Sequence, residues 1–314
     1  MSRAVVATAF GGPEVLAIID VEVGPPGPGQ IAVDIRAAGV NPIDAKLYSG
    51  LLGTNMPLPM PIGIEASGVV TAVGDKAVGP RGPFAVGDEV IMYRIVGACA
   101  DRVVVDAGTA VPKPPMMSFE AASGLILTGA TAVHALTATR VERGDTVLIH
   151  GASGGVGQMA VQLAVARGAR VIGTASPARH DVVRALGGEP VSYGDGLADR
   201  VRDLAPGGVD AAIDTVGTDE AVDVSLELVT DRNRIASIAA FARGASAGIK
   251  LLGGGPGADP GDEIRDAARL ELIDLVAAGA LSVSVAATYP LTQAAAAHRA
   301  ILTGHTTGKI ALVP

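Results

Sequence analysis

The stretch TVLIHGASGGVGQMAVQLAVARG, residues 146–168, decides the fold of this chain. A short hydrophobic run leads into four glycines that fall within seven residues, and a helix-like apolar run follows until Gly168. Read as A-x-G-x-x-G, the cluster is Ala152, Gly154 and Gly157. A glycine cluster between a strand and a helix is typical of dinucleotide-binding folds, where bare backbone lets a pyrophosphate approach.

The same cluster also fits a tight strand–helix turn that binds no ligand. The segments that follow weigh against this alternative, because the apolar runs RVIGTA, PVSY, VDAAIDTVG and RIASIA alternate with runs of helical period. Strands spaced by helices predict right-handed crossovers and a parallel sheet. We therefore expect an α/β, doubly wound Rossmann sheet in this part of the chain.

The first third of the chain predicts short strands instead. In IAVDIRAA, apolar Ile31, Val33 and Ile35 alternate with polar Asp34 and Arg36, as in a half-buried strand. The runs GVVTAVG and FAVGDEVIMY continue this pattern between glycine turns. These residues indicate a compact barrel-like unit.

Composition excludes several classes of protein. The 314 residues suffice for about two domains, and the net charge of −8 disfavours nucleic acid as a partner. One cysteine, Cys99, allows neither an internal disulfide nor a cysteine-rich zinc site. Two uncharged stretches, 121–139 and 146–166, reach membrane length but contain glycine, serine or threonine throughout. We interpret both as buried segments of a cytoplasmic protein with no membrane partner.

The second predicted strand indicates which dinucleotide binds. NAD-binding folds place an acidic residue about 20 residues after the motif, but here Thr174 and Ser176 are followed by Arg179. A hydroxyl and a guanidinium suit a 2′-phosphate, which favours NADP(H) over NAD. Alternatively, Arg179 is an ordinary exposed residue. Tyr193 either closes the adenosine pocket or belongs only to the core.

The start of the following helix is the predicted phosphate site. The N–H groups of Gly155, Val156 and Gly157 would face the phosphates at the positive helix end. The Ser153 hydroxyl would add a donor.

Six motifs together resemble the zinc-free quinone oxidoreductases of the medium-chain dehydrogenase/reductase superfamily. They are AAGVNPIDAKLYSG (37–50), PIGIEASGVVTAVG (61–74), FAVGDEV (84–90), GASGGVGQMAVQLA (151–164), DTVG (214–217) and GHTTGKIALVP (304–314). The resemblance implies a GroES-like β-barrel catalytic domain of residues 1–117 and 259–314. It implies a Rossmann NADP-binding domain of residues 118–258, and a homodimer.

Two positions indicate whether the chain can bind a catalytic zinc ion. Zinc-dependent relatives place a cysteine and a histidine where this chain has Asn41 and Ile64, so Glu65 remains without them. One carboxylate cannot hold tetrahedral zinc, and we expect no metal. Quinones and conjugated enones suit such a site, because their reduction gives a delocalised anion.

The resemblance also implies site residues in the barrel domain. Asn41 would lie near the nicotinamide ribose and carboxamide, and Lys46 would contact cofactor and substrate, with Asp44 orienting it. Tyr48 and Tyr93 are candidate donors or lid residues. The alternatives are a local Asp44–Lys46 ion pair, packing roles for both tyrosines, and a plain turn at Asn41.

Further cofactor contacts follow from the resemblance. Thr131 would lie near the nicotinamide, unless its hydroxyl bonds its own helix backbone. Lys309 would reach a cofactor phosphate or only flank the last strand. The remaining predicted contacts are Val216 and Gly217 on the adenosine side, and Ile238, Ala239 and Phe241 at the nicotinamide end.

These expectations combine into one predicted activity, a metal-independent hydride transfer from NADPH to a quinone or an α,β-unsaturated carbonyl compound. An enoyl-thioester reductase is the alternative enzyme, but it would need a basic groove for coenzyme A phosphates. A non-catalytic NADPH-binding structural or RNA-binding protein is a third possibility. The acidic charge and the presence of Asn41 and Lys46 argue against it. Among the histidines, His134, His298 and His305 show no ligand-like spacing.

Overall fold

The computed structural model describes residues 1–304 and 306–314, so His305 lies outside the described residues. The strands are β1 (Ser2–Ala7), β2 (Leu16–Val21), β3 (Gln30–Val40), β4 (Met60–Pro61), β5 (Glu65–Val73), β6 (Val78–Gly79), β7 (Gly82–Pro83), β8 (Glu89–Tyr93), β9 (Arg102–Asp106), β10 (Ala110–Pro112), β11 (Thr146–His150), β12 (Arg170–Thr174), β13 (Glu189–Val191), β14 (Ala211–Asp214), β15 (Ile235–Ser237), β16 (Lys250–Leu251), β17 (Val285–Pro290) and β18 (Lys309–Val313).

The α-helices alternate with the strands in the middle of the chain. They are α1 (Pro42–Tyr48), α2 (Phe119–Ala122), α3 (Leu125–Ala138), α4 (Gly155–Ala166), α5 (His180–Ala185), α6 (Leu197–Leu204), α7 (Asp219–Leu228), α8 (Phe241–Ala247), α9 (Asp262–Ala277) and α10 (Ala294–Leu302). The turn signal at Asn41 is followed directly by α1.

The chain divides into two compact units. Unit 1 comprises residues 1–127, 270–277 and 283–314, and unit 2 comprises residues 128–269 and 278–282. The chain passes from unit 1 to unit 2 within α3 and back within α9. The predicted boundaries at residues 117 and 258 lie earlier in the chain, outside these helices.

Unit 1 is built from mostly antiparallel sheets, in which β17 and β18 form a parallel pair. The largest has seven strands, with the order β10-β8-β5-β3-β18-β17 and β9 paired to β3, while β2-β1-β4 form a second sheet. In β3, Ile31 and Val33 are fully buried and Arg36 is exposed, as the alternating pattern predicts. Since β18 pairs with β3, the C-terminal strand completes the sheet that the first third of the chain begins.

Unit 2 contains a six-stranded sheet in which all pairs are parallel. Its order is β13-β12-β11-β14-β15-β16, which in chain order is 3-2-1-4-5-6, the order of dinucleotide-binding folds. From β11 the chain builds the sheet outward to one side through β12 and β13, and then returns to the other side of β11 at β14. The gap between β11 and β14 is therefore the topological switch point, where folds of this kind bind ligands at the carboxyl ends of the strands. The glycine cluster of residues 151–157 lies at this point.

One helical stretch, residues 119–138, is long and apolar enough by composition to span a membrane, but 78% of it is buried within the protein. It contains α2 and α3. This burial is what a core helix shows, as the sequence analysis expects for residues 121–139.

Candidate functional site

Three polar side chains meet inside unit 1. Lys309 Nζ donates to Asn41 Oδ1 at 2.5 Å and to Glu65 Oε1 at 2.9 Å. Asn41 Nδ2 donates to the same Glu65 oxygen at 3.0 Å and to the Gly39 carbonyl at 3.3 Å. All three side chains are at least nine-tenths buried. The amide orientation of Asn41 is therefore set by a cation on its oxygen and a carboxylate on its nitrogen.

Sheet register brings these residues together. Val40 of β3 lies opposite Ile310 of the antiparallel strand β18. Asn41 comes directly after Val40 and Lys309 directly before Ile310, so the two residues are neighbours across the strands. The other Glu65 oxygen accepts the N–H of Leu127 at 3.0 Å, in the first turn of α3. Because first-turn N–H groups have no intrahelical acceptor, this contact satisfies both partners.

Two glycines make room for this cluster. A Cβ at Gly39 would lie 2.6 Å from Glu65 Oε1, and one at Gly124 would lie 2.7 Å from Lys309 Cγ. Any side chain at either position would displace the buried ion pair. No local sequence pattern identifies these glycines as spacers or pairs Glu65 with Lys309, although Gly39, Glu65 and Lys309 lie within the family motifs.

Asp44 has a different role from the predicted one. Its Oδ2 accepts the Asn41 backbone N–H at 2.9 Å and caps α1 in a capping box, while its Oδ1 is buried with no hydrogen-bond partner. Residues two apart on a helix point in different directions, so Asp44 is not oriented toward Lys46. Burial raises the pKa of Asp44 to about 7. Lys46 is half-buried in α1.

Tyr48 is a core residue, and its predicted role as a donor or lid residue is wrong. It is 1% exposed, and its hydroxyl shares a 3.1 Å hydrogen bond with His298 Nδ1. Burial raises the pKa of Tyr48 to about 12 and lowers the pKa of His298 to about 4. The pair is therefore neutral, and the hydroxyl is already engaged.

Tyr93 differs from Tyr48 in its surroundings and in the state of its hydroxyl group. It ends β8 directly opposite Glu65 of β5, so its side chain projects on the same face of the sheet. Its ring is 5% exposed and lies against the Arg94 guanidinium at 5.6 Å. Within residues 1–304 and 306–314, the hydroxyl has no hydrogen-bond partner.

The phosphate contact predicted for Lys309 is not what this geometry shows, because the Nζ is buried between Asn41 and Glu65 of unit 1. The alternative, a residue that only flanks the last strand, is also wrong. Lys309 instead supplies the cation of the unit 1 cluster.

The glycine turn of unit 2 has the geometry of a phosphate loop. Gly151 has a φ of +75°, and its N–H donates to Thr174 Oγ1 at 3.0 Å. A Cβ at Gly157 would lie 2.1 Å from the Gly151 carbonyl oxygen. Gly154 is the N-cap of α4, where its backbone is extended. Thr174 thus holds the turn from the neighbouring strand, and Gly157 brings helix and strand into contact.

The loop after β14 lies beside this turn. Asp214 Oδ1 accepts the N–H groups of Val216 at 2.8 Å and Gly217 at 2.9 Å, and its Oδ2 accepts the Ser237 hydroxyl at 2.6 Å. A Cβ at Gly217 would lie 2.8 Å from Ala239 Cβ. The loops carrying the predicted adenosine-side and nicotinamide-side contacts are therefore adjacent at one edge of the sheet.

The predicted 2′-phosphate residues lie at the ends of the next two strands. Ser176 and Arg179 begin and end a 3₁₀ turn after β12, and both are half-buried. Tyr193 is 57% exposed, which excludes the alternative that it belongs only to the core. The Arg200 guanidinium donates to the carbonyls of Ser192, Gly194 and Asp195, so it braces the loop that carries Tyr193.

The remaining predicted cofactor residues are also placed in unit 2. Thr131 lies within α3, 6% exposed, and its Oγ1 accepts from Arg265. Ile238 and Ala239 are half-buried after β15, and Phe241 opens α8 with its ring against Gly255. Ser153 is 5% exposed.

Comparison with known proteins identifies the family to which this two-unit chain belongs. A family described as alcohol dehydrogenase GroES-like domain matches residues 27–115, and one described as zinc-binding dehydrogenase matches residues 186–312. A quinone oxidoreductase of Pseudomonas aeruginosa is 32% identical over 332 residues, which cover 100% of both chains. This chain belongs to the quinone oxidoreductase family of medium-chain dehydrogenases and reductases.

Two further proteins match over similar lengths. A 2-haloacrylate reductase of a Burkholderia species is 33% identical over 344 residues, covering 100% of this chain and 99% of the relative. The Escherichia coli quinone oxidoreductase solved in complex with NADPH is 28% identical, covers 100% of both chains and superposes with a TM-score of 0.85. The predicted family and the predicted fold, a GroES-like domain with a Rossmann domain, are confirmed.

Proposed function

We propose that this member of the quinone oxidoreductase family is an NADPH-dependent oxidoreductase that reduces a quinone or an α,β-unsaturated carbonyl compound. The observation that carries the proposal is the glycine turn at the switch point of the unit 2 sheet, where Gly157 has no room for a side chain. The Escherichia coli relative, solved with NADPH, supports the choice of cofactor.

The residues of unit 2 fit a dinucleotide. The first N–H groups of α4 belong to Gly155, Val156 and Gly157, which have no intrahelical acceptors and suit a phosphate. We assign Ser176, Arg179 and Tyr193 to the 2′-phosphate and the adenosine. Bound there, NADPH would supply a hydride.

The unit 1 cluster does not fit zinc, and we propose that the reaction uses no metal. Asn41 and Ile64 stand where zinc-dependent relatives have ligands, and Lys309 Nζ lies 2.9 Å from the one carboxylate, Glu65. An ammonium group at that distance repels a divalent cation. Among the residues that the structure describes, no three His, Cys, Asp or Glu side chains are grouped to hold a metal.

In unit 1 the donor offered to a developing oxyanion is the hydroxyl of Tyr93, because both N–H groups of the Asn41 amide are bonded to Glu65 and Gly39. Lys309 and Glu65 fix the amide of Asn41, and the hydroxyl of Tyr93 lies on the Glu65 face of the sheet. Preorganised donors of this kind stabilise charge that appears in a transition state. We propose Asn41, Lys46 and Tyr93 as the residues that contact cofactor or substrate, and Asp44 as the cap that holds Asn41 in place.

Oxidation of NADPH by the purified protein tests the proposed function, with a panel of quinones, enones, an unsaturated carboxylate and enoyl thioesters. We expect turnover with quinones or enones that a metal chelator leaves unchanged. Turnover restricted to enoyl thioesters would support the alternative enzyme, and NADPH binding without any turnover would support a non-catalytic protein. Loss of activity on chelation would contradict the metal-free assignment.

The proposed assembly is a homodimer in the cytoplasm, with no nucleic acid as a partner. Light scattering of the purified protein gives its mass directly. A mass of one chain, 31.2 kDa, would contradict the proposed dimer.

A further inference from the structure

Arg265 of unit 2 is a buried cation with no carboxylate in direct contact, and the nearest acidic influence on it comes from Asp259, beyond ion-pair distance. It lies in the first turns of α9 and is 8% exposed. No carboxylate lies within ion-pair distance of its guanidinium in residues 1–304 and 306–314. The other buried arginine of the same helix, Arg269, shows the usual arrangement, because its Nη2 lies 2.7 Å from Asp266 Oδ1.

The contacts of Arg265 are few and long. Its Nε donates to His134 Nδ1 and its Nη1 donates to Thr131 Oγ1, both at 3.3 Å. A guanidinium has five N–H donors, so three of them have no acceptor in the part of the chain that the structure describes. Both acceptors are uncharged groups.

The chemistry of His134 explains why it does not balance this charge. Burial and the neighbouring Arg265 lower the pKa of His134, so the ring is neutral and its Nδ1 accepts. Its Nε2 lies 3.3 Å from Asp259 Oδ2, and a Cβ at Gly261 would lie 2.2 Å from the ring. The ring therefore stands between the Asp259 carboxylate and Arg265, and it is held from two sides.

The loop beside the guanidinium carries no side chain at Gly253 or Gly254. A Cβ at Gly253 would lie 3.7 Å from Arg265 Nη2, and a Cβ at Gly254 would meet no atom within 4 Å. Natural proteins rarely bury a cation without an anion, because its desolvation is then uncompensated. The fork of a guanidinium matches the oxygens of a carboxylate or a phosphate.

We propose that Arg265 and Thr131 form an oxyanion-binding site of unit 2, which takes a carboxylate or phosphate oxygen on the Nη2 side of Arg265. The oxyanion has two possible sources, the carboxylate of an acidic substrate and a phosphate of the nucleotide. The assignment of the oxyanion to a substrate or to the nucleotide rests on the proposed function. The binding of a simple anion does not depend on it.

The first experiment measures binding of propionate and inorganic phosphate to the whole protein by calorimetry. We expect Arg265→Gln to weaken the binding of at least one of these anions more than tenfold, and Arg265→Lys to weaken it less. Arg269→Gln is the matched control, since Arg269 is also buried on α9 but has Asp266, and it should leave anion binding unchanged. Equal affinities of the wild type and Arg265→Gln for both anions would overturn the proposal.

The stability of the anion-free protein gives an independent readout. A cation that lacks a partner contributes no ion pair to folding, so we expect Arg265→Gln to unfold at the same denaturant concentration as the wild type or at a higher one. A structural role predicts a large loss instead. Such a loss in both Arg265→Gln and Arg265→Lys would contradict the proposed site.

Kinetics with matched ligands separate the two sources. A tenfold rise in the Kd of both NADPH and NADH in Arg265→Gln would identify a nucleotide phosphate. A rise in KM for an unsaturated acid, with no change for its amide, would identify the substrate carboxylate. If the wild type bound phosphate or propionate through Arg265 but never oxidised NADPH, the proposed function would fail while the oxyanion site would stand.

Discussion

Lys309 Nζ lies 2.9 Å from Glu65 Oε1, and neither side chain is more than 5% exposed. The ammonium also donates to Asn41 Oδ1, so one cation holds a carboxylate and an amide together. The buried pair lies where β3, β5 and β18 meet in unit 1. A protein cation thus stands beside Glu65 and fixes the orientation of its carboxylate.

Removing the cation should destabilise the protein strongly. In Lys309→Met, Glu65 would be a buried charge without its partner, and breaking such a pair costs about 3–5 kcal/mol. The free energy of unfolding, measured by urea denaturation, gives this cost. The double variant Lys309→Met with Glu65→Leu is the control, and we expect it to recover most of the loss. A loss below about 1 kcal/mol in the single variant would show that the pair is not energetically coupled.

A methyl group at Gly157 should weaken binding of the dinucleotide. The Cβ of Gly157→Ala would lie 2.1 Å from the Gly151 carbonyl oxygen, so the turn must move away from α4. We expect the Kd for NADPH, measured by fluorescence titration, to rise at least about tenfold, which is 1.4 kcal/mol. Gly207→Ala is the control, because a Cβ there meets no atom within 4 Å. An unchanged Kd in Gly157→Ala would contradict the proposed phosphate site.

Arg179 should determine the preference for NADPH over NADH. A hydrogen bond to a charged group contributes about 1.5–3 kcal/mol, so Arg179→Ala should raise the Kd for NADPH by roughly tenfold or more. The Kd for NADH should stay within about twofold, since NADH lacks the 2′-phosphate. Arg184→Ala, an exposed arginine paired with Asp181 on α5, is the control and should change neither value. Equal losses for both nucleotides would exclude the proposed contact.

Asp44 should make the stability of the protein depend on pH. Burial raises its pKa from the ordinary value of 3.8 to about 7, so folding takes up a proton here between these values. The stabilisation from the protonated form is complete below pH 3.8 and is lost as the pH rises through about 7. Asp44→Asn cannot ionise and retains an oxygen for the Asn41 N–H.

The comparison between pH 5 and pH 8 tests this expectation. The free energy of unfolding of Asp44→Asn should fall less over this range than that of the wild type, by up to about 1.4 kcal/mol per pH unit between pH 5 and pH 6, with a smaller difference as the pH passes the Asp44 pKa of about 7. The exposed Asp203→Asn serves as the control and should follow the wild type. Parallel curves for wild type and Asp44→Asn would show that Asp44 is already ionised at pH 5.

The sequence predicted the nucleotide-binding architecture correctly because its signals are local. Strand and helix periods repeat along residues 146–237, and the glycine cluster follows directly after a strand. From these patterns come the parallel sheet and the turn at Gly151 and Gly157. The family motifs extended the prediction to the whole chain.

The sequence alone determined the order of strands and helices, the fold and the family. Only the tertiary structure decided what the polar residues contact, because the partners are far apart in the chain. Lys309 and Asn41 are 268 residues apart, and Tyr48 and His298 are 250 apart. Their meeting depends on sheet register and packing, which no local pattern of residue types specifies.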